Sequence, residues 1–292
     1  MKLRLFSCDH HEIPLPAGHK FPVAKYRMLR ERLEEDGRFH IERAQAAGPA
    51  EISLAHDREY VAAFLEGRLS EQSVRRIGFP WSPGLVARTL CSAGATLAAT
   101  RAALETGFGA SLAGGTHHAS YAEGSGFCVF NDIAVAIKAT GKRAAVVDLD
   151  VHQGDGTAAI FSGDASVFTL SLHGENNFPL RKQVSTLDLP FPDGTCDEQY
   201  LEGLRRVLPA VLDFGPEIVF YQVGVDGLGS DRLGLLELTA EGLAARDRLV
   251  FESLKNAGIP VVTVLGGGYS EPIELTVDAH ASTFFCAADL FL

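Results

Sequence analysis

The sequence is poor in the features that mark several protein classes. No apolar run reaches the roughly 18 residues that a membrane-spanning helix requires, so no span is expected. Lys and Arg number 26 against 37 Asp and Glu, a formal charge of −11. The cations form no run, which argues against direct binding of nucleic acid, where phosphate contacts need clustered Lys and Arg. It argues equally against docking on anionic lipid. The five cysteines, Cys8, Cys91, Cys128, Cys196 and Cys286, are odd in number and scattered, with no C-x-x-C. A disulfide framework or a cysteine-based zinc site is not expected, and a reducing cytoplasmic setting is. Cys128 reads as packing. The apolar part of Met1–Asp9 is too short for a signal peptide and reads better as a first β-strand. Repeats, low-complexity tracts and Gly/Ser linkers are also missing, so residues 1–292 read as a single domain. With 46% hydrophobic residues there is ample material for a core.

What is present alternates strand and helix. Strand-like runs are Leu3–Cys8, Ala144–Leu149, Val167–Leu172, Ile218–Val223 and Val261–Leu265. Four of them are near-continuous Val, Ile, Leu and Phe, as expected of strands covered on both faces. Ser82-Pro83 supplies an N-cap and a proline at the first helical position, opening a helix that runs to Gly107. Asp197–Asp213 and Thr239–Ala257 read as helices, the second closed by Gly258 and Pro260. Val23, Tyr26, Leu29 and Leu33 recur at helical spacing before Gly37. The expectation is an α/β fold, a doubly wound, mostly parallel sheet flanked by helices, with its site beyond the C-terminal ends of the strands.

The unusual residues fall at those ends. Val146-Val147-Asp148-Leu149-Asp150-Val151-His152-Gln153-Gly154-Asp155-Gly156 is an apolar strand ending in ionisable groups at every second position. Alternate side chains of an extended chain share a face, and carboxylates converging there repel unless a cation lies between them. A turn and helix N-cap explains Asp155 but not Asp148, Asp150 or His152. Asp226 closes another apolar strand, Tyr221-Gln222-Val223-Gly224-Val225-Asp226; alone it reads as a turn residue. With Asp150 and His152 it completes an Asp, His, Asp set, the mark of a hydrolytic zinc site with an open fourth position. Fe(II) suits the same donors. Gly114-Gly115-Thr116-His117-His118-Ala119 brings two imidazoles in behind glycines, with Asp148 and Asp155 as partners to fix their tautomers and raise their pKa values. Val264-Leu265-Gly266-Gly267-Gly268-Tyr269 carries a phenol that could serve an oxyanion. Phosphate binding by those glycines is a weaker reading, because no Lys-Ser/Thr or G-x-G-x-x-G follows.

Together, the segments 148–156, 115–119 and 267–269 resemble the histone deacetylase superfamily. The opening Ile13–Pro22, the stretch Gly126-Phe127-Cys128-Val129-Phe130-Asn131-Asp132, and Asp231-Arg232-Leu233-Gly234 look like its bacterial branch close to class IV. The resemblance implies the arginase/deacetylase-like fold. It also implies a zinc-dependent amidohydrolase acting on acylated amines, typically acyl-lysine of proteins or peptides, with an acetyl or longer fatty acyl group. By position, Asp150, His152 and Asp226 resemble the zinc ligands. His118 resembles the general base and His117 the second histidine, with Asp148 and Asp155 as their carboxylate partners. Tyr269 resembles the carbonyl-polarising phenol. Asp148, Ser171 and Leu172, with backbone oxygens of Asp150 and His152, resemble a structural potassium site. Phe127 and Phe178, with Gly126 and Leu233 nearby, resemble the walls of the acyl-lysine tunnel. Competing readings are an acetylpolyamine or other small acyl-amine hydrolase, a two-manganese ureohydrolase, and a non-catalytic metal-binding module. The ureohydrolase needs further His and Asp ligands where this chain places His117 and His118.

Overall fold

The apolar runs form the centre of one sheet in the computed structural model, which describes residues 2–292. They are β1 (Leu3–Ser7), β4 (Ala144–Asp148), β5 (Val167–Gly174), β7 (Ile218–Val223) and β8 (Val261–Leu265). Every residue of β4, β5, β7 and β8 is buried, which is why these strands lack polar alternation. Three strands escaped the sequence reading: β2 (Phe39–Arg43), β3 (Phe108–Ser111) and β6 (Leu187–Phe191). The sheet has eight strands in the order β2-β1-β3-β8-β7-β4-β5-β6, and every neighbouring pair is parallel. The expected "mostly parallel" sheet is thus wholly parallel within its named strands.

The helices are α1 (Ala24–Glu34), α2 (Pro49–Ile52), α3 (Arg58–Leu65), α4 (Glu71–Ile77) and α5 (Pro83–Thr106). Then come α6 (Asp132–Thr140), α7 (Asp155–Ile160), α8 (Asp197–Asp213), α9 (Ala240–Asn256) and α10 (Ile273–Phe291). α5 starts and stops as its sequence requires. Ser82 Oγ accepts from Leu85 N at 3.0 Å, Pro83 fills the first position, and Gly107 ends the helix at φ +88°. α9 is capped by Thr239 Oγ1, which accepts from Gly242 N at 3.0 Å. In α1, Tyr26, Leu29 and Leu33 are buried as read, whereas Val23 stands at the N-cap. α5 packs against β1, β3 and β8, tying the middle of the sheet to one long helix. No helix among the described residues is long and apolar enough to cross a membrane.

The sheet order decides where chemistry can assemble. β3, β8, β7 and β4 are consecutive neighbours. Their C-terminal ends lead respectively into Gly114–His118, Gly266–Tyr269, Gly224–Asp226 and Leu149–His152. Four segments far apart in sequence therefore open at one edge of the sheet.

Candidate active site

β4 stops at Asp148, and residues 150–152 form a bend. The expected extension of the strand through His152 is therefore corrected, and convergence is achieved by backbone hydrogen bonds instead. Asp150 N donates to Asp148 Oδ1 at 3.2 Å, and Val151 N donates to Asp226 Oδ1 at 3.0 Å. Asp150 Oδ2 accepts from Gly267 N at 2.6 Å. The bend turns Asp150 and His152 toward Asp226, while Asp148 turns toward His117. Nδ1 of His152 lies 3.0 Å from both Asp150 Oδ1 and Asp226 Oδ2. One donor atom from each of Asp150, His152 and Asp226 lies within 4.8 Å of the others. Asp150 and Asp226 are 1% and 0% exposed.

These donors fit a cation. Burial, then the Asp150 charge, pushes Asp226 up to about 7. Asp150 is buried too, yet the imidazoles of His117 and His152 hold it well below the usual carboxylate range. Burial alone would lower His152, but its contacts with both carboxylates push it up to about 10. Two desolvated carboxylates facing one shared imidazole need a positive charge at their focus, and two oxygens plus one nitrogen are ligands for Zn²⁺ or Fe²⁺. Glycine is required around them. A Cβ on Gly267 would lie 1.7 Å from Asp226 Oδ2, and one on Gly224 would lie 2.4 Å from Asp150 Oδ2.

The histidine pair follows from β3. A Cβ on Gly115 would lie 1.9 Å from Leu265 O, so only glycine lets this segment cross β8 so closely. Buried Asp132 fixes the turn, accepting from Thr116 N at 2.8 Å, Gly115 N at 3.2 Å and Thr96 Oγ1 at 2.6 Å. His117 Nδ1 then meets Asp148 Oδ2 at 2.7 Å, and His118 Nδ1 meets Asp155 Oδ1 at 2.6 Å. Each imidazole thus has the carboxylate partner expected of it. Their pKa values diverge. Burial lowers His117, but Asp148 and Asp150 outweigh it and push it up to about 9. Burial and the neighbouring His117 pull His118 down to about 4, against Asp155. The expected upward shift of both histidines is corrected for His118. A neutral His118 whose Nδ1–H is committed to Asp155 keeps a lone pair on Nε2.

Tyr269 lines the same cavity as the pair. Its backbone N donates to Asp231 Oδ2 at 2.5 Å, and Arg232 Nε donates to its carbonyl at 3.1 Å. Burial, then the Asp226 and Asp150 charges, holds the phenol well above its ordinary pKa, so the hydroxyl stays a donor.

One cavity of about 400 Å³ is lined by His117, His118, Asp150, His152 and Tyr269. Its walls include all four expected tunnel residues, Gly126, Phe127, Phe178 and Leu233. Phe178 is 42% exposed, and its ring meets His118 edge-on at 4.8 Å. Phe127, at φ +65°, packs among Phe21, Phe79 and His19, with ring centroids 5.3, 5.3 and 5.8 Å away. Ser171 and Leu172 lie on β5, where Ser171 is in register with Asp148. Ser171 Oγ is 3.0 Å from His173 Nδ1.

Among the buried cations not read from the sequence, Lys25 and Arg246 hold the segments of the site. Lys25, 1% exposed, donates from Nζ to Gly266 O at 2.9 Å and faces the Tyr269 ring at 5.4 Å. Burial pulls its pKa down to about 8. Arg246, also 1% exposed, donates to Gly224 O at 2.6 Å and Leu149 O at 3.3 Å, and its Nε donates to Asp247 Oδ1 at 2.8 Å. It clamps the two segments that carry Asp226 and Asp150. A cation on an amphipathic helix reads as solvated surface, so only burial reveals either role.

Comparison with known proteins decides the family. Residues 19–284 match the family model described as histone deacetylase domain. The chain belongs to the histone deacetylase family. An uncharacterized protein of Picosynechococcus is 45% identical over 287 residues, covering 95% of this chain and 96% of that one. A histone deacetylase-like amidohydrolase of Pseudomonas aeruginosa is 30% identical over 285 residues, covering 88% and 74%. Acetylpolyamine aminohydrolase from Burkholderia pseudomallei superposes with a TM-score of 0.79 at 22% identity, covering 99% of both chains. This deacetylase-family chain is accordingly a hydrolase with the arginase/deacetylase-like fold.

Proposed function

We propose that this chain is a zinc-dependent amidohydrolase that removes acyl groups from lysine side chains of proteins or peptides. The observation that carries the reading is the meeting, in one cavity, of an Asp-His-Asp donor cluster, two carboxylate-held imidazoles and a phenol. Asp150, His152 and Asp226 would hold Zn²⁺, which supplies Lewis acidity toward water and the acyl carbonyl. His118 is the general base: Nε2 takes a proton from the attacking water while Asp155 steadies Nδ1–H. Tyr269 donates its hydroxyl to the carbonyl oxygen as negative charge develops there. A protonated histidine of the pair returns a proton to the leaving amine. Asp148 orients His117 and, with Ser171 and the backbone oxygens of Leu172, Asp150 and His152, would hold structural K⁺ through oxygen alone. Phe127 and Phe178 flank the methylenes of the acylated side chain, with Gly126 and Leu233 beside them.

The cavity continues to Ile13, after β1, and to Leu85 and Ala93 on α5, so room is available beyond an acetyl group. The test is a series of lysine peptides carrying acyl chains from acetyl to myristoyl, with acetylpolyamines alongside and metal analysis of the same sample. Turnover of acyl-lysine with one active-site zinc supports the reading. Turnover of acetylpolyamines alone would replace lysine by a small amine as substrate, and no hydrolysis by zinc-loaded protein would refute an enzymatic role.

A further inference from the structure

We propose that His10, His11 and Cys91 form a second transition-metal site, one that takes Zn²⁺ through two imidazoles and a thiolate. His10 and His11 lie in the turn after β1, and Cys91 lies on α5, 81 positions from His10 along the chain. One donor atom from each lies within 4.8 Å of the others. Cys91 Sγ is 3.9 Å from His10 Nε2, and the two imidazole centroids are 4.4 Å apart. Zinc–sulfur and zinc–nitrogen bonds of about 2.3 and 2.0 Å allow ligating S and N atoms to be at most about 4.3 Å apart. The Cys91–His10 pair already satisfies this limit, and the remaining adjustment falls to flexible histidine side chains.

The site is asymmetric in a useful way. Cys91 is fully buried and His10 is exposed, so a fixed sulfur faces donors that can close on an arriving ion. His11 also lines an open surface pocket with Leu65, Trp81 and Leu90, which gives the ion a path in. Among these three donors there is no carboxylate, and a nitrogen–sulfur set selects Zn²⁺ over Mg²⁺ or Ca²⁺. Arg88, one turn before Cys91, donates to Cys8 O at 3.1 Å and puts a positive charge near the thiols, but the neighbouring Cys8 and burial hold the Cys91 thiol well above its ordinary pKa, so the proton leaves only as the metal binds. Metal binding would release the Cys91 thiol proton, now donated to Ala44 O at 3.3 Å, and form the metal–sulfur bond in its place. Scattered cysteines argued against such a site because spacing rules look along the chain; here α5 brings the sulfur to the β1 turn. The bound ion would tie that turn to the helix whose Ser92 accepts from Gly114 N at 3.1 Å, at the start of the histidine segment.

The two clusters differ in having sulfur, and that separates them experimentally. The full chain is stripped with chelator and titrated with Co²⁺ while the near-ultraviolet thiolate-to-cobalt charge-transfer band is followed. The Asp150/His152/Asp226 cluster has no sulfur and cannot give this band. We expect the band in the wild type, its bleaching by added Zn²⁺, its retention in Asp226→Asn and its loss in Cys91→Ser. His10→Ala/His11→Ala, which changes turn residues outside the core, should weaken cobalt binding at the band by more than about tenfold, since even outer-shell losses cost ~10–100-fold. Cobalt bound without the band, or a band surviving in Cys91→Ser, would overturn the site. Should Cys91→Ser fail to fold, an unchanged titration of the double histidine variant overturns it as well.

Discussion

Replacing Tyr269 with phenylalanine removes one oxygen and leaves the supports of the ring in place. The backbone of Tyr269 is held by Asp231 and Arg232, and its ring faces Lys25 at 5.4 Å. None of these contacts uses the hydroxyl, so the ring of Tyr269→Phe should keep its position and the donor cluster its metal. What is lost is the single hydrogen bond aimed at the developing oxyanion. Removal of one such donor costs roughly 10²–10³ in kcat, about 2.7–4 kcal/mol of transition-state stabilisation. Because the bond strengthens only as charge develops, kcat and kcat/KM should fall together while KM stays nearly unchanged. The phenol is held well above its ordinary pKa by burial and by Asp226 and Asp150, so its ionisation does not complicate the comparison near neutral pH. The assay is steady-state hydrolysis of an acyl-lysine peptide, with zinc stoichiometry and circular dichroism on the same preparation. A variant with full zinc content and kcat within about threefold of wild type, under ~0.7 kcal/mol, would refute the role assigned to the hydroxyl.

Other perturbations test the framework around it. Asp226→Ala removes a donor and leaves Val151 N without its acceptor, so bound zinc should fall by close to one equivalent relative to wild type; unchanged stoichiometry rules Asp226 out as a ligand. Arg246→Met takes the counter-charge from the buried Asp247 carboxylate, leaving it the Tyr221 and Thr283 hydroxyls, and takes a donor from the carbonyls of Leu149 and Gly224. Chemical denaturation should show a loss of about 3–5 kcal/mol, and a loss below ~1 kcal/mol would contradict the clamp. His56 accepts from Asn131 N at 2.8 Å, and burial pulls its pKa down to about 4 from 6.5. Its folded pKa lies below the unfolded one, so its contribution is present above pH 6.5 and is lost as pH falls toward 4. The stability difference between wild type and His56→Gln should therefore change by up to about 3 kcal/mol across that window, and a flat difference would show that His56 is not desolvated.

The residues of the site were legible for a physical reason. Ionisable groups at the end of an apolar strand are costly unless paired, so Asp148, Asp150, His152 and Asp226 stood out. The central strands were legible as well, because burial on both faces erases polar alternation. β2 and β6 were not, because they are the sheet's two edges and keep polar residues such as Glu42 and Asp188. β3 was hidden by its brevity and small side chains, Phe-Gly-Ala-Ser. The opposite shifts of His117 and His118 could not be read at all. Both have carboxylate partners and both are buried; the second carboxylate, Asp150, near His117 and the charge of His117 beside His118 separate them.

The place of β8 has a consequence for how the enzyme comes into being. β8 inserts between β3 and β7, and β3 lies far before it in the chain. A nascent chain that has not yet delivered β8 already contains Asp150, His152 and Asp226. It lacks Gly267 N, which orients Asp150, and Tyr269, which completes the cavity. It also leaves β3 and β7 as open parallel edges, the kind of surface that pairs with other chains. Closing the gap is a non-local event and hence a slow one. At the Asp150/His152/Asp226 cluster, metal competence and catalytic competence should therefore arise together and late, with ion uptake there marking the moment the sheet closes.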